Sequence, residues 1–240
     1  MASKPVEELG DHLLALGEDT KAAALAIAAR AALRTIPLLE HLPWERPLRK
    51  GMRKGLGRPR MSNSEMVSGT FRSAATAWVA ARFQAFGMSD RFHEIKHDAR
   101  MAGGIEDAGD TAAAYAAYAV HNAMMVATCE LCEVERIVWD AAWSDFRRLE
   151  NGNNSQSLIM QRLWPTSPRH FIRDDWTHLS SRLLGHADEH WSVWIDWYEA
   201  QLAGPAGLLE REEVARASLP NDVWAQGTAF ANRSISGHAA

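Results

Sequence analysis

The sequence predicts an all-α protein, a multi-helix bundle of two packed helical units with no significant sheet. Nearly every segment of the 240 residues spaces its apolar side chains with the period of a helix. The alternating runs of Val, Ile and Thr that are typical of strands are missing. The third observation is that Trp191, Trp194 and Trp197 recur at every third residue in a chain with ten tryptophans, which predicts a buried helix.

The first helices are predicted from their start and stop signals. One covers residues 6–16 and ends at Gly17. The next begins near Asp19 and ends at Pro37, because proline lacks the N–H that a helix interior needs. Residues 45–60 combine Pro and Gly with many cations, which predicts a basic loop.

A third strong helix begins at Ser62, since Ser62 and Glu65 fit a capping box. It is expected to close at Gly87 and to present five apolar side chains, namely Met66, Phe71, Trp78, Val79 and Phe83. A shorter helix follows from Ser89 or Asp90 to Gly103. Residues 106–149 are helical in pattern, as one bent helix or as two that abut.

The polar run at residues 151–157 is the best candidate for a linker. Residues 1–150 then form an Ala-rich unit and residues 158–227 a Trp-rich unit, followed by a frayed tail at 228–240. Within the second unit we expect a helix at 174–184, the Trp helix at 188–202 with Gly204 and Pro205 as stop signals, a helix at 208–219 and a short turn near Trp224.

A helical wheel assigns a broad apolar face to the Trp helix. Trp191, Trp194 and Trp197 share an arc of about 120° with Tyr198, extended by Ile195 and Leu202. Ser192, Asp196 and Glu199 collect on the opposite side. These four aromatic residues are the candidate interaction residues, and a core helix is favoured over an exposed docking face.

His93, Glu94 and His97 match the HExxH pattern, in which two His one turn apart bind Zn²⁺ and the Glu activates water. Lys96 and Asp98 among these residues, and the lack of a third His, favour a solvated helix instead. Glu130, Glu133 or Glu135 could supply a third ligand. A catalytic zinc with Glu94 as general base is therefore an alternative and not the favoured interpretation.

Cys129 and Cys132 form CxxC inside an Ala-rich helical run with acidic neighbours, which favours two small buried residues over a redox pair. Combined with His93 and His97, they would make a structural zinc site with two Cys and two His. The 32 positions between His97 and Cys129 match no short zinc-finger spacing. No cofactor is favoured, and zinc remains the one alternative.

The basic loop is interpreted as a solvated connector, with nucleic-acid binding as the alternative. The loop contains one acidic residue, Glu45, and it lacks aromatic residues for base stacking except for Trp44 at its edge. The cations are Arg46, Arg49, Lys50, Arg53, Lys54, Arg58 and Arg60.

Composition favours a soluble protein of the cytoplasm. Hydrophobic residues make up 47% and charged residues 23% of the chain, and the net charge is −4, so no global attraction to nucleic acid or anionic membrane is expected. Two cysteines agree with a reducing compartment. No secretory signal is visible, and Arg30 interrupts the most apolar stretch, so no membrane span is predicted.

Several segments together resemble a group of uncharacterised, Ala- and Trp-rich helical proteins from proteobacteria. The segments that carry the resemblance are AARAALRTIPLL, FRSAATAWVAARF, AAYAAYA, LWP and HWSVWIDWYEAQLAG, the last of these ahead of SLPNDVWAQGTAFAN. The resemblance covers most of the chain and is strongest over residues 163–232. It implies a bacterial helical protein and no catalytic residue, and HEIKH and CELC lie outside it.

These patterns lead to one expectation of function and two rivals. We expect a non-enzymatic helical module for protein–protein interaction or regulation, binding a protein partner or a second copy. The rivals are a zinc metalloprotein, hydrolytic or structural, and a nucleic-acid binder that uses the basic loop.

Overall fold

The computed structural model describes residue 12 and residues 20–42, 44, 62–83, 131–207 and 209–238. These residues form an all-α multi-helix fold, and no strand occurs among them. The α-helices are α1 (Thr20–Thr35), α2 (Asn63–Arg82), α3 (Leu131–Glu150), α4 (Ser155–Ile159), α5 (His170–Gly185), α6 (Ser192–Ala203), α7 (Glu210–Ala217), α8 (Asn221–Trp224) and α9 (Thr228–His238). Short 3₁₀ helices occupy Ile36–His41, Ala187–Glu189 and Pro205–Gly207.

Helix α1 ends where the sequence places a stop. The α-helical hydrogen bonding finishes at Thr35, and Pro37 falls in the first turn of the following 3₁₀ helix, where its missing N–H is tolerated. The 3₁₀ helix is mostly buried and packs against α5. The predicted stop of this helix is confirmed.

The capping box at the start of α2 is confirmed. The Ser62 hydroxyl accepts a hydrogen bond from the Glu65 N–H, while the Glu65 carboxylate accepts one from the Ser62 N–H. Of the predicted apolar residues, Phe71, Trp78 and Val79 are buried, and Met66 and Phe83 are half-buried. The helix ends at Arg82, five residues before the expected stop.

Residues of both predicted units contribute to one hydrophobic core. Helix α1 contacts α2, α3 and α4, and α7 contacts α2. Within the predicted linker, Asn154 caps α4 by accepting a hydrogen bond from the Ser157 N–H. Leu158 and Ile159 of the next turn are fully buried, so this segment is anchored to the helices on either side of it.

The last elements begin and end differently from the sequence prediction. The expected Trp helix starts later, at Ser192, because His190 takes a left-handed conformation with φ 54° that interrupts the helix after Ala187–Glu189. Gly204, with φ 108°, ends it as expected. Helix α5 begins four residues before the predicted start.

The expectation of a frayed tail is not what the structure shows for residues 228–238. These residues form α9, in which Thr228, Ala231, Asn232 and Ile235 are buried. Their spacing places them on one face of a helix, and α9 contacts α2, α6 and α7. The stripe mixes two polar residues with two apolar ones, which weakens the signal in the sequence.

One described segment, Ala22–His41, is long and apolar enough to cross a membrane by length and composition. This differs from the sequence prediction, which treated Arg30 as an interruption. Core helices of soluble proteins and N-terminal signal sequences pass the same test. In the structure, 72% of that window is buried inside the protein, as a core helix would be.

Candidate functional site

The aromatic residues of the Trp helix lie inside the protein. Trp191, Trp194, Trp197 and Tyr198 are each at most 1% exposed. Ser192, Asp196 and Glu199 are exposed, as the helical wheel predicts. The single chain covers the four candidate interaction residues, so a partner could reach them only after the surrounding helices had moved.

We use the name tryptophan cluster for Trp191, Trp194 and Trp197 with their hydrogen-bond acceptors. The Trp191 indole donates to the Glu189 carboxylate over 2.7 Å, and the Trp194 indole to the Asn232 side-chain oxygen over 2.8 Å. The Trp197 indole donates to Glu213 over 3.2 Å. Each indole therefore has its own acceptor, and each acceptor belongs to a different segment of the chain.

Phe71 of α2 connects this cluster to the N-terminal helices. Its ring lies 5.4 Å from Trp194 and 6.5 Å from each of Trp191, Trp197 and Tyr198. Aromatic pairs at such distances add to the stabilisation from buried area. A single residue of the first predicted unit thus touches all four candidate interaction residues of the second.

Glu213 and Arg216 form a buried ion pair at the edge of the tryptophan cluster. The guanidinium donates to the carboxylate over 2.9 Å and lies 5.8 Å and 5.7 Å from the rings of Trp194 and Trp197. Burial raises the pKa of Glu213, while the charge of Arg216 opposes that rise. Burial also lowers the pKa of Arg216, which Glu213 opposes. The buried guanidinium of Arg216 is thus paired with the buried carboxylate of Glu213, and Arg82 and Glu212 act on this pair as a further cation and a further anion.

A second buried polar group joins α1, α3 and the segment after α4. We call Arg30, Arg34 and Asp145 the arginine cluster. All three nitrogens of the Arg30 guanidinium donate: two of them bind Asp145, at 2.8 Å and 3.3 Å. The terminal nitrogens also bind four backbone oxygens, those of Leu158, Gln161, Arg162 and Leu163, at 2.7 to 3.1 Å.

Arg34 is bound on one side and has an unpartnered nitrogen on the other. Its Nε and Nη2 donate to the Leu163 oxygen, and Nη2 also lies 2.7 Å from Asp145. Nη1 is buried and has no hydrogen-bond partner in the described part of the chain. The guanidinium carbon lies 5.5 Å from the ring centre of Trp164.

The arginine cluster carries an excess of positive charge. The side chains of Arg30, Arg34 and Asp145 are all fully buried. Burial lowers the pKa of Arg34 to about 10; Asp145 opposes this shift, while Arg30 and Arg148 reinforce it through their positive charges. Two buried guanidinium groups therefore share one carboxylate among the described residues.

Three further buried side chains, including Trp164 at this cluster, have polar atoms that lack a partner among the described residues. They are the Trp164 indole nitrogen, the Tyr198 hydroxyl and both polar atoms of the Gln201 amide. Burial raises the pKa of Tyr198 well above its usual value, and the charge of Arg34 opposes that rise. The hydroxyl stays protonated at neutral pH and is available as a donor.

The other candidate residues lie largely outside the described part of the chain. His93, Glu94, His97 and Cys129 fall there, as do Arg46, Arg49, Lys50, Arg53, Lys54, Arg58 and Arg60. Cys132 belongs to α3, but its side chain is not among those described. Within the described residues, no group of three or more His, Cys, Asp or Glu could hold a metal ion.

Sequence reasoning missed the arginine cluster. The available signal was the pair Arg30 and Arg34, which lie one helical turn apart in an otherwise mostly apolar, Ala-rich helix. Such a helix is expected to be buried, and its arginines would then be buried with it. Their partner Asp145 lies 115 positions from Arg30, and no local pattern marks such a pairing.

Comparison with protein-family models, curated proteins and solved structures finds no match to this chain. The resemblance to Ala- and Trp-rich proteobacterial proteins therefore stays a prediction.

Proposed function

We propose that the chain is a non-enzymatic helical module of the cytoplasm that acts through protein–protein contacts or regulation. The observation that carries the proposal is the division of α6 into a covered aromatic face and an exposed acidic edge. The aromatic face fixes the helix to α2, α7 and α9 through Phe71, Glu213 and Asn232. The exposed edge is then held in a fixed position, as a contact surface requires.

The surroundings of this edge favour a basic partner. Residues 187–238 contain eight acidic residues and three arginines. One of each, Glu213 and Arg216, is buried as an ion pair, and the remaining charges give this part of the surface an acidic excess. Opposite charge steers association and selects partners.

A second copy of the chain is one source of such a partner. Residues 45–60 carry seven Arg and Lys against one Glu, which complements the acidic residues of the C-terminal part. Self-association through these charges would weaken with salt, because exposed charges are screened.

Charge reversal at the edge tests the proposal. We expect Asp196→Lys with Glu199→Lys to remove binding of a partner or of a second copy while the thermal midpoint stays within a few degrees, since both side chains are exposed. Static light scattering at low and high salt measures self-association. A photo-crosslinking residue at position 199, with position 156 as an exposed control, identifies other partners in cells.

The proposal fails if the protein is a monomer at low salt and position 199 captures no more protein than position 156. A salt-sensitive dimer that the charge reversal dissociates would support self-association. A crosslinked partner that the reversal removes would support a separate protein.

Zinc binding is the rival with a specific sequence pattern behind it, HEIKH with CxxC. Metal analysis of protein purified without a metal-affinity tag tests it. Stoichiometric zinc that is lost in His93→Ala with His97→Ala would replace our proposal with a metalloprotein. Zinc retained in that double variant would exclude the HExxH ligands.

Nucleic-acid binding by the basic loop makes a different prediction. Affinity would fall steeply with added salt, because each phosphate contact releases counterions. Replacement of Arg53 and Lys54 by Ser would reduce that salt dependence. Affinity that does not change with salt would remove this alternative.

A further inference from the structure

The arginine cluster has fewer negative than positive charges. Arg30 and Arg34 are fully buried with one fully buried carboxylate between them, and Arg148 adds a third positive charge near Arg34. A buried ion without a compensating charge is costly, since its hydration is lost and not replaced. The described residues leave about one positive charge at this place unbalanced.

Arg34 and the neighbouring Trp164 both have unpartnered polar atoms. Arg34 Nη2 binds Asp145, whereas Nη1 has no partner in the described residues. The Trp164 ring stacks within 5.5 Å of the same guanidinium, and its indole nitrogen is likewise unpartnered there. Both atoms are hydrogen-bond donors.

Helix α6 carries two more such groups, and its C-terminal end lies near the cluster. A side-chain carbon built on Gly204 would lie 3.7 Å from Arg162 Cγ, so the end of α6 abuts the backbone segment whose oxygens bind Arg30 and Arg34. Tyr198 and Gln201 are one turn apart on the covered face of α6. Their hydroxyl and amide are buried without partners among the described residues.

We propose that a small anion, of halide or carboxylate size, binds beside Arg34 and is held by the free guanidinium nitrogen with Trp164, Tyr198 and Gln201. Such an anion supplies the missing negative charge and accepts hydrogen bonds from donors that otherwise have none. The oxygen of the Gln201 amide needs a donor in turn, which a bound water molecule provides.

The site is closed in the folded chain, because the polar atoms around it have almost no accessible surface. An anion therefore enters during folding or through local opening. It acts as part of the core, and it stabilises α1, α3 and α6 against one another. This inference does not depend on the proposed protein contacts.

The test is anion-dependent stability of the full chain in a buffer whose only anion is too large for a closed site. Chloride, acetate and phosphate are added separately, and the thermal midpoint is measured at constant ionic strength. A ligand at about 100 times its Kd should raise the midpoint by roughly 5 to 10 °C in a protein of this size. We expect a saturable rise with chloride or acetate.

Two variants locate the effect. Gln201→Met and Tyr198→Phe each remove one proposed ligand with little change in volume, and each should weaken anion binding by about tenfold. Gln226→Met is the matched control, since Gln226 is exposed, and it should leave the response unchanged. Line broadening of ³⁵Cl in magnetic resonance gives a direct reading of bound chloride.

Equal midpoints in all anions would contradict the proposal. The same is true of a rise that does not saturate, or of one that persists undiminished in Gln201→Met and Tyr198→Phe. Any of these results would mean that the chain itself balances the positive charge of the arginine cluster, or that salt stabilises the protein without binding at this site.

Discussion

The tryptophan cluster and the arginine cluster are both buried and both rich in polar atoms, but the described residues satisfy them differently. In the first, each of three indole N–H groups has an acceptor, and the charges of Glu213 and Arg216 are paired, although Arg216 Nε has no partner among the described residues. In the second, two guanidinium groups share Asp145, and the Arg34 Nη1 atom has no partner among the described residues.

This difference suggests that one cluster only holds the helices together, whereas the stability of the other also depends on ions in solution. A buried network whose charges are paired within the chain favours one arrangement of helices. A network that lacks a charge depends on whatever supplies that charge. We therefore expect the tryptophan cluster to respond to mutation and the arginine cluster to respond to mutation and to ions.

The largest expected effect is the loss of the one carboxylate in the arginine cluster. Asp145→Asn leaves two buried guanidinium groups without the carboxylate that both of them contact, and we expect a loss of about 3 to 5 kcal/mol in the free energy of unfolding. Urea denaturation measures it.

Asp140→Asn is the control on the same helix, because Asp140 and its partner Arg136 are both exposed. Its cost should be below about 1 kcal/mol. Similar losses in the two variants would mean that the buried charge of Asp145 contributes no more to the free energy of unfolding than an exposed one does.

A smaller effect is expected in the tryptophan cluster. Trp194→Phe removes part of a fully buried side chain and the hydrogen bond to Asn232, and we expect a loss of about 2 kcal/mol. A double-mutant cycle with Asn232→Ala separates the hydrogen bond from the packing. A coupling energy of about 1 kcal/mol is expected, and additivity of the two losses would argue that the indole hydrogen bond contributes nothing.

The pH dependence of stability should report Glu213. Because its pKa is raised by folding, the folded state takes up a proton at a higher pH than the unfolded state does. The contribution of Glu213 to the free energy of unfolding therefore increases as the pH falls from its pKa in the folded state toward the ordinary value near 4.5. Relative to Glu213→Gln, the wild-type protein should gain stability on acidification through this range, and a constant difference between the two would show that folding does not shift this pKa.

The smallest effect on stability is expected for Tyr198→Phe in the anion-poor buffer. The hydroxyl is buried and lacks a partner among the described residues, so its removal should change the free energy of unfolding by less than about 0.5 kcal/mol or increase it slightly. Calorimetry measures this change. A loss above about 1 kcal/mol without added anion would mean that the hydroxyl already has a partner that chain or solvent supplies.

The sequence predicts well those features that depend on neighbours along the chain. The capping box of Ser62 and Glu65, the end of α1 before Pro37 and the two faces of the Trp helix all follow from local spacing. The pairing of Arg30 with Asp145 does not, since it depends on how α1 and α3 pack. The helical tail was missed because its buried stripe includes Asn232, whose burial makes sense only beside Trp194 and the Glu189 backbone oxygen.

The hydrogen bonds of Arg30 also set an order for folding. Its partners at residues 158–163 follow it by 128 to 133 positions, and Asp145 by 115. During synthesis, which adds residues from the N-terminus onward, α1 leaves the ribosome with two guanidinium groups that have no place to bind. It can dock in its final position only after residue 163 has emerged, so α1, although it is the first of the described helices to be synthesised, must wait for the later ones.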